Sequence, residues 1–517
     1  MPSQPSLRRR RAIIVLVGLV GSLLVPSVAG TAEVPAPVCG PLDHPETGIQ
    51  GDVPLVDQLT GRAYEGYNCG LALVGYQPLS GRGGNANMAW AGDCAYVSGD
   101  GIAVIDVSDP ALPRHVTTLR GAGSDATVET LHAVVADDRA ILVAGRYGLF
   151  GFSGFGPPAP VDVYDVGDCT DPTLLSSFEV PNNVHNLTLS DDATRMYSTL
   201  PLQVADLTDP RNPRVLGNLE DDLRAAGVSH LEYAHEALPS PDGTRLYIGG
   251  QIAGEEELLT VDIEGWPARP ATVLGRVARP GHSIRRATID GRPHLLHSDE
   301  SVINPTAKGC LPEELTPVGG ASQPYLTDIS DERAPATTSQ VRLAINEPAN
   351  CLAQIASGVN ASVHYHDVDD PDDTTFAMLS MWHAGLRIVD VRDPANPREV
   401  AYFNPGRFRG VDLLGGAAVD PFLSLQTPNG LDQAWAHVRY VAETGHVWLA
   451  TRSGGFWVLE LEPQVRRALD LPERPVRFPD GATPRPPATD IGVGLSGPPG
   501  LFCTLGATSA ALTGLVS

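Results

Sequence analysis

Val104-Ile105-Asp106-Val107-Ser108-Asp109-Pro110 is a short β-rich run that ends in an acid and passes into an Asp-Pro turn. The phrase recurs. It returns as Val163-Tyr164-Asp165-Val166 before Asp171-Pro172, and as Val204-Ala205-Asp206-Leu207-Thr208-Asp209-Pro210. Weaker or complete copies follow at Val261-Asp262-Ile263, Leu326-Thr327-Asp328-Ile329-Ser330-Asp331 and Ile388-Val389-Asp390-Val391-Arg392-Asp393-Pro394. A frayed seventh is Val458-Leu459-Glu460-Leu461. Asp bonds its own backbone and Pro presets φ, so each copy is a strand with a built-in stop. Successive acids lie 41 to 70 residues apart, which suits four-stranded blades carrying inserted loops.

Upstream of each phrase lies a further strand pair, such as Leu187-Thr188-Leu189, a turn at Asp191-Asp192, then Arg195-Met196-Tyr197. Downstream of the turn comes a fourth strand, as in Arg214-Val215-Leu216-Gly217. No such unit buries both sheet faces alone, so the units must pack radially. The expectation is an all-β, seven-bladed β-propeller over residues 65–463. The last blade lacks a fourth strand after Leu461, and Leu71-Ala72-Leu73-Val74-Gly75-Tyr76 can supply it from the other end. Closure of that kind also removes exposed sheet edges.

Composition agrees. The chain has 517 residues, 42% of them hydrophobic, with 54 Gly and 46 Pro, where average usage of the two together is about 12%. A formal charge of −25 excludes a basic nucleic-acid footprint. Lys308 is the sole lysine, which leaves little room for Schiff-base chemistry.

Arg8 to Arg11 precede a short apolar run, Ala12 to Val25, and then the small residues Val28-Ala29-Gly30. Residues 1–30 therefore read as a signal peptide of bacterial-type export, too short for a stable membrane span. Residues 31–64 follow as an N-terminal arm and 464–517 as a Pro-rich C-terminal tail. The expected product is a secreted or envelope-associated monomer. Its seven Cys then read as disulfides, with one left over. Cys310 with Cys351 is the first candidate pair, and Cys94 with Cys169 the second.

The phrases Ala103-Val104-Ile105-Asp106-Val107 and Arg387-Ile388-Val389-Asp390-Val391 resemble the repeat of the LVIVD-repeat proteins, exported propeller-like proteins of bacteria and archaea. The resemblance implies a propeller and no particular activity. A fainter similarity is to selenium-binding protein and methanethiol oxidase, which share a propeller and, in the oxidase, a histidine-bound copper.

The histidines are not scattered. His132, His185, His235, His282 and His437 each stand at the head of a blade's first strand, five to eight residues before a turn signal. His364 or His366 occupies that slot in the sixth blade, and His366 fits the spacing better. First strands line a propeller's channel, so six imidazoles could converge at one mouth. Imidazole suits Cu and Zn. The same placement would serve a structural belt in which each ring bonds a neighbouring blade's backbone. Glu236 and Asp367 are candidates to orient the rings.

Loops on the same face carry Arg146, His297, His383 and Arg452, a rim suited to a protein or small-molecule ligand. Two functions follow. One is a cell-envelope binding or interaction module with a metal at the channel mouth. The other is a metal-dependent, copper oxidoreductase acting on a small sulfur compound, by analogy alone.

Overall fold

The computed structural model describes residues 34–79, 84–125, 129–146, 158–181, 184–228, 233–252, 255–279, 281–298, 323–407 and 430–474. Seven antiparallel sheets form among them; in five the strands pair in chain order, and the other two each take a strand from the N-terminal side at their outer edge. Blades one to five span 88–119, 131–180, 187–218, 233–277 and 283–340. Blade six is 366–404 and blade seven 434–461. First strands pack on one another in succession, and the first strand of blade seven, Ala434–Val441, returns to that of blade one, Met88–Ala91. The ring is closed. The expected seven-bladed propeller is borne out.

The acid of each phrase does what its chemistry allows. Asp106 accepts the Ser108 N–H at 3.0 Å, and Asp206 that of Thr208 at 2.9 Å. Asp328 accepts from Ser330 at 2.8 Å and Asp390 from Arg392 at 3.1 Å. The second acid repeats the device three residues later, as Asp109 with the Ala111 N–H and Asp393 with that of Ala395, both at 3.1 Å. These Asx turns end the third strand and reverse the chain into the fourth. A register shift then interrupts every pairing of third and fourth strand, in all seven blades. Such bulges increase local twist, which a propeller blade needs.

Burial grades outward along a blade. Ile102–Asp106, the third strand of blade one, is buried on both faces except at the acid, whereas Arg114–Leu119, its fourth, is largely exposed. Apolar side chains form seven buried clusters, each joining two neighbouring blades. The blades therefore share one continuous core divided by seams rather than seven private ones.

Closure follows the expected route. Leu71–Gln77 pairs antiparallel with Gly455–Leu461 as the outer strand of blade seven. At its bulge, Gly75 lies where an added Cβ would stand 2.1 Å from the Pro110 carbonyl of blade one. The preceding strand, Tyr67–Cys69, adds a fifth strand to blade six, which the sequence reading did not foresee. Cys39 is bonded to Cys69 and ties the N-terminal arm to that strand. Cys94 is bonded to Cys169, linking blades one and two. Cys351 is disulfide-bonded; Cys310 and the segment 1–30 read as an export signal lie outside the described residues. Of the tail, Pro463–Ala468 is helical and packs on the strand Arg398–Asn404 of blade six. No helix among the described residues is long and apolar enough to cross a membrane.

Candidate functional site

The first hydrogen bonds of each blade fix which residue stands at the channel mouth. His185 N–H donates to Thr199 O, and Thr199 N–H returns to Asn186 O. His364 with Ser380 and Ala86 with Ser98 repeat this closure, and His282 N–H likewise donates to Ser298 O. In blade two the matching bond, Gly145 N–H to Thr130 O, puts Glu129 in the same place; in blade seven, Arg452 N–H to Gln433 O does so for Asp432. In blade four the ladder shifts register between Ala234 and Glu236, and His235 occupies the bulge. The seven equivalent positions are thus Ala86, Glu129, His185, His235, His282, His364 and Asp432.

Blades two to six bring one carboxylate and four imidazoles together. His235 Nε2 stands 3.2 Å from Glu129 Oε2, His185 Nε2 3.9 Å from the same oxygen, and His364 Nε2 3.7 Å from Glu129 Oε1. Ligand atoms of Glu129, His235 and His282 lie within 4.8 Å of one another. Ring centroids step from His185 to His235 at 4.6 Å, to His282 at 3.5 Å and to His364 at 5.0 Å. All five residues are buried.

Two backbone carbonyls orient the rings. His235 Nδ1 lies 2.8 Å from His282 O, and His364 Nδ1 lies 2.9 Å from Trp435 O. A carbonyl oxygen only accepts, so both Nδ1 atoms carry the proton and both Nε2 atoms turn toward Glu129. The Tyr365 hydroxyl donates to Glu129 Oε2 at 2.9 Å and accepts from Asn186 Nδ2 at 3.2 Å. Burial by itself would raise the Glu129 carboxyl; His235 and His364, with the charge of His185, override it and hold the group well below the ordinary carboxylate range.

Three expected residues stand elsewhere. His132 sits three residues further along its strand than the mouth position, roughly 10 Å deeper at strand rise; His366 sits two further, and His437 five, two of them taken up by the bulge between Ala434 and Val438. Their neighbours are charged. Arg285 donates to Glu236 Oε1 at 2.6 Å and Asp367 Oδ1 at 2.8 Å, and it lies 2.6 Å from the His437 ring. His437 Nδ1 is 3.1 Å from Asp367 Oδ2. His132 Nδ1 accepts the Leu189 N–H at 3.0 Å, and His366 Nε2 lies 3.1 Å from Ser283 O. Burial, and then the Arg285 charge, push His132 down to about 3 and His366 well below its usual value. Glu236 and Asp367 accordingly serve Arg285 rather than the mouth imidazoles. This deeper layer cross-links blades four to seven by charge.

The rim residues divide. Arg146 is exposed. His297 is fully buried, with Nε2 2.8 Å from Thr327 Oγ1. His383 Nδ1 accepts the Asn360 N–H at 2.8 Å, and Arg452 donates to Gln433 Oε1 at 3.3 Å while its guanidinium lies 5.7 Å from the Trp435 ring. Trp435 and Trp382 pack at a 45° tilt, 4.6 Å apart, and wall the mouth beside His364, 4.3 and 5.9 Å from its ring. Neither tryptophan, nor Glu129, nor Tyr365 was singled out from the sequence. In blades two, three and six the mouth residue stands two before the first ladder pair, so that Glu129-Thr130-Leu131 aligns with His185-Asn186-Leu187 and His364-Tyr365-His366.

Comparison with known proteins agrees with the repeat phrases. The LVIVD repeat matches residues 83–119 and 375–404, which include the blade-one phrase and the blade-six phrase. The chain carries LVIVD repeats. No curated protein matches this LVIVD-repeat chain in sequence. Among solved structures it is similar to the β-propeller domain of Myceliophteria thermophila Cps50 (Swd1), at 12% identity and TM-score 0.45, over 73% of this chain and 96% of that one. It is also similar to a functionally unknown protein from Desulfotomaculum acetoxidans, at 10% identity and TM-score 0.39, over 64% and 87%.

Proposed function

We propose that the chain is an exported binding module of the cell envelope that holds a transition-metal ion, Cu or Zn, between Glu129, His185, His235, His282 and His364. Its coarser part, a propeller interaction scaffold, rests on the LVIVD repeats and the seven blades. The metal rests on one observation. His235 Nδ1 donates to a carbonyl, so in the neutral ring Nε2 presents a lone pair to the Glu129 carboxylate at 3.2 Å. Two electron-pair donors at that distance in a buried site repel unless a proton or a metal cation lies between them, and the imidazoles of His185, His282 and His364 around the same carboxylate favour the metal. Atoms bound to one ion at about 2.0–2.2 Å stand at most ~4.4 Å apart, and the 3.2, 3.7 and 3.9 Å separations fall inside that limit. Export is supported by the basic and apolar N-terminus and by the disulfides, which persist in oxidising compartments.

The oxidoreductase reading, copper acting on a small sulfur compound, draws on the same ligands. It is favoured by the oxidisable Tyr365, Trp382 and Trp435 beside them.

Elemental analysis of protein from its native compartment tests the metal. The expected result is one Cu or Zn per chain, lost when Glu129→Gln and His235→Ala are combined, with the circular dichroism unchanged. Native protein that neither contains nor takes up either metal stoichiometrically overturns the proposal. Copper that a small thiol reduces and oxygen reoxidises through many cycles would favour the oxidoreductase. A bound but redox-silent metal would leave the binding module.

A further inference from the structure

We infer that the exchangeable ligand of this centre, on the metal reading above, is a small monoanion seated on the side of blades seven and one, against Trp435, Trp382 and Ala86. The seven mouth positions carry the argument. Five consecutive blades, two to six, supply a donor. Blade one supplies Ala86, which offers none. Blade seven supplies Asp432, but its carboxylate is engaged by the amides of Gln433 at 2.9 Å, Ser453 at 2.8 Å and Gly454 at 3.0 Å. Among the described residues, the coordination position left open therefore faces blades seven and one.

That sector is built from aromatic surface. A bulge between Ala434 and Val438 carries Trp435 against His364. Trp382 joins it with a backbone φ of 40°, a conformation that costs a non-glycine residue energy and that surrounding structure must enforce. The Ala434 N–H does so, donating to the Trp382 carbonyl at 2.9 Å. Both indoles are buried, at 2% and 3% exposure, and neither Nε1 has an acceptor among the described residues. Two buried donors without acceptors are costly unless a ligand brings the acceptor.

Charge selects the class of ligand. A divalent ion with the Glu129 carboxylate and neutral imidazoles leaves one positive charge at the mouth. On this same side the Arg452 guanidinium covers Trp435. The Asp432 carboxylate on that side offsets Arg452, and the remaining carboxylates, Glu236 and Asp367, are in the deeper layer and already face Arg285. A monoanion at the open position balances the mouth, and its remaining lone pairs can take the indole N–H groups.

Azide and the Cu(II)-loaded full chain provide the test. Azide should give a charge-transfer band that saturates at one per copper. Trp435→Phe and Trp382→Phe, which keep the ring and remove the donor, should each weaken azide roughly tenfold while copper stoichiometry stays the same. Ala86→Leu should abolish azide binding and retain copper. If copper loads but the three variants bind azide as the parent does, or if neutral pyridine binds as tightly as azide, the inference is overturned and the metal reading stands. Failure of copper to load overturns the inference, and failure of zinc as well overturns the metal reading.

Discussion

Asp106 shows how much one side chain of the repeat phrase contributes. The Ser108 hydroxyl and then Arg114, 2.8 Å away, hold its carboxyl down at about 2, below the ordinary value of 3.8. A depressed folded-state pKa means the unfolded chain binds the proton first. The contribution of Asp106 is therefore present above about pH 4 and is lost as pH falls from there toward 2. Asp206 is lowered in the same direction by Thr208. Asp106→Asn should flatten the acid limb of the stability curve in that window while lowering stability at neutral pH. Urea titrations of both proteins at pH 3 and pH 7 would check it, and an equal loss at both values would refute the assignment. At the mouth, the decisive residue is the ring orientation of His235, which a neighbouring blade's carbonyl sets and no local sequence encodes.

The seams between blades are the elements on which the ring depends. Outer strands press on the next blade's Asp-Pro turn: Gly75 against Pro110, Gly275 against Glu332, and the Ser176 hydroxyl donating to Pro210 O at 2.7 Å. Gly75→Ala should destabilise by about 1–3 kcal/mol, since the added methyl meets backbone rather than a movable side chain; chemical denaturation measures this, and a neutral result would mean the seam is slack. Blade six carries a second dependence. Arg387 is fully buried and donates to Glu399 at 3.0 Å and to Glu46 of the N-terminal arm. Burial pushes Glu399 up to about 6 in spite of Arg387. Arg387→Met would leave two carboxylates without their cation and should cost about 3–5 kcal/mol at pH 7. Part of that loss should return below the Glu399 value, where the carboxyl is protonated, and a loss independent of pH would count against this account.

At the scale of the molecule, the ring is closed by chain from the far end of the sequence, and a disulfide fastens that chain. The Cys39–Cys69 loop spans 30 residues, for which chain entropy gives about 3.6 kcal/mol. How much of this was legible depended on what repeats. The acid, the Asp-Pro turn and the missing outer strand recur or fail visibly, so blade count and closure could be read. The site could be read only in part. His185, His235 and His282 hold equivalent places, but turn spacing alone drifted between five and eight residues, so it chose His366 over His364 and took His132 for blade two, where Glu129 stands at the mouth. Because strand side chains alternate, a shift of even one residue changes which group points where. Glu129 carried no repeat signal, and Trp435 reaches the mouth through a bulge.

The sequence by itself determined that this chain makes seven blades, because each copy of its phrase ends a strand by local chemistry that neighbours cannot override. It also determined that histidines gather at the heads of first strands. Only the tertiary structure decided which of them meet, since that rests on ladder register, two bulges and carbonyls donated by adjacent blades. It alone separated the mouth from the charged layer beneath, because that separation is a distance along the channel that no single blade contains.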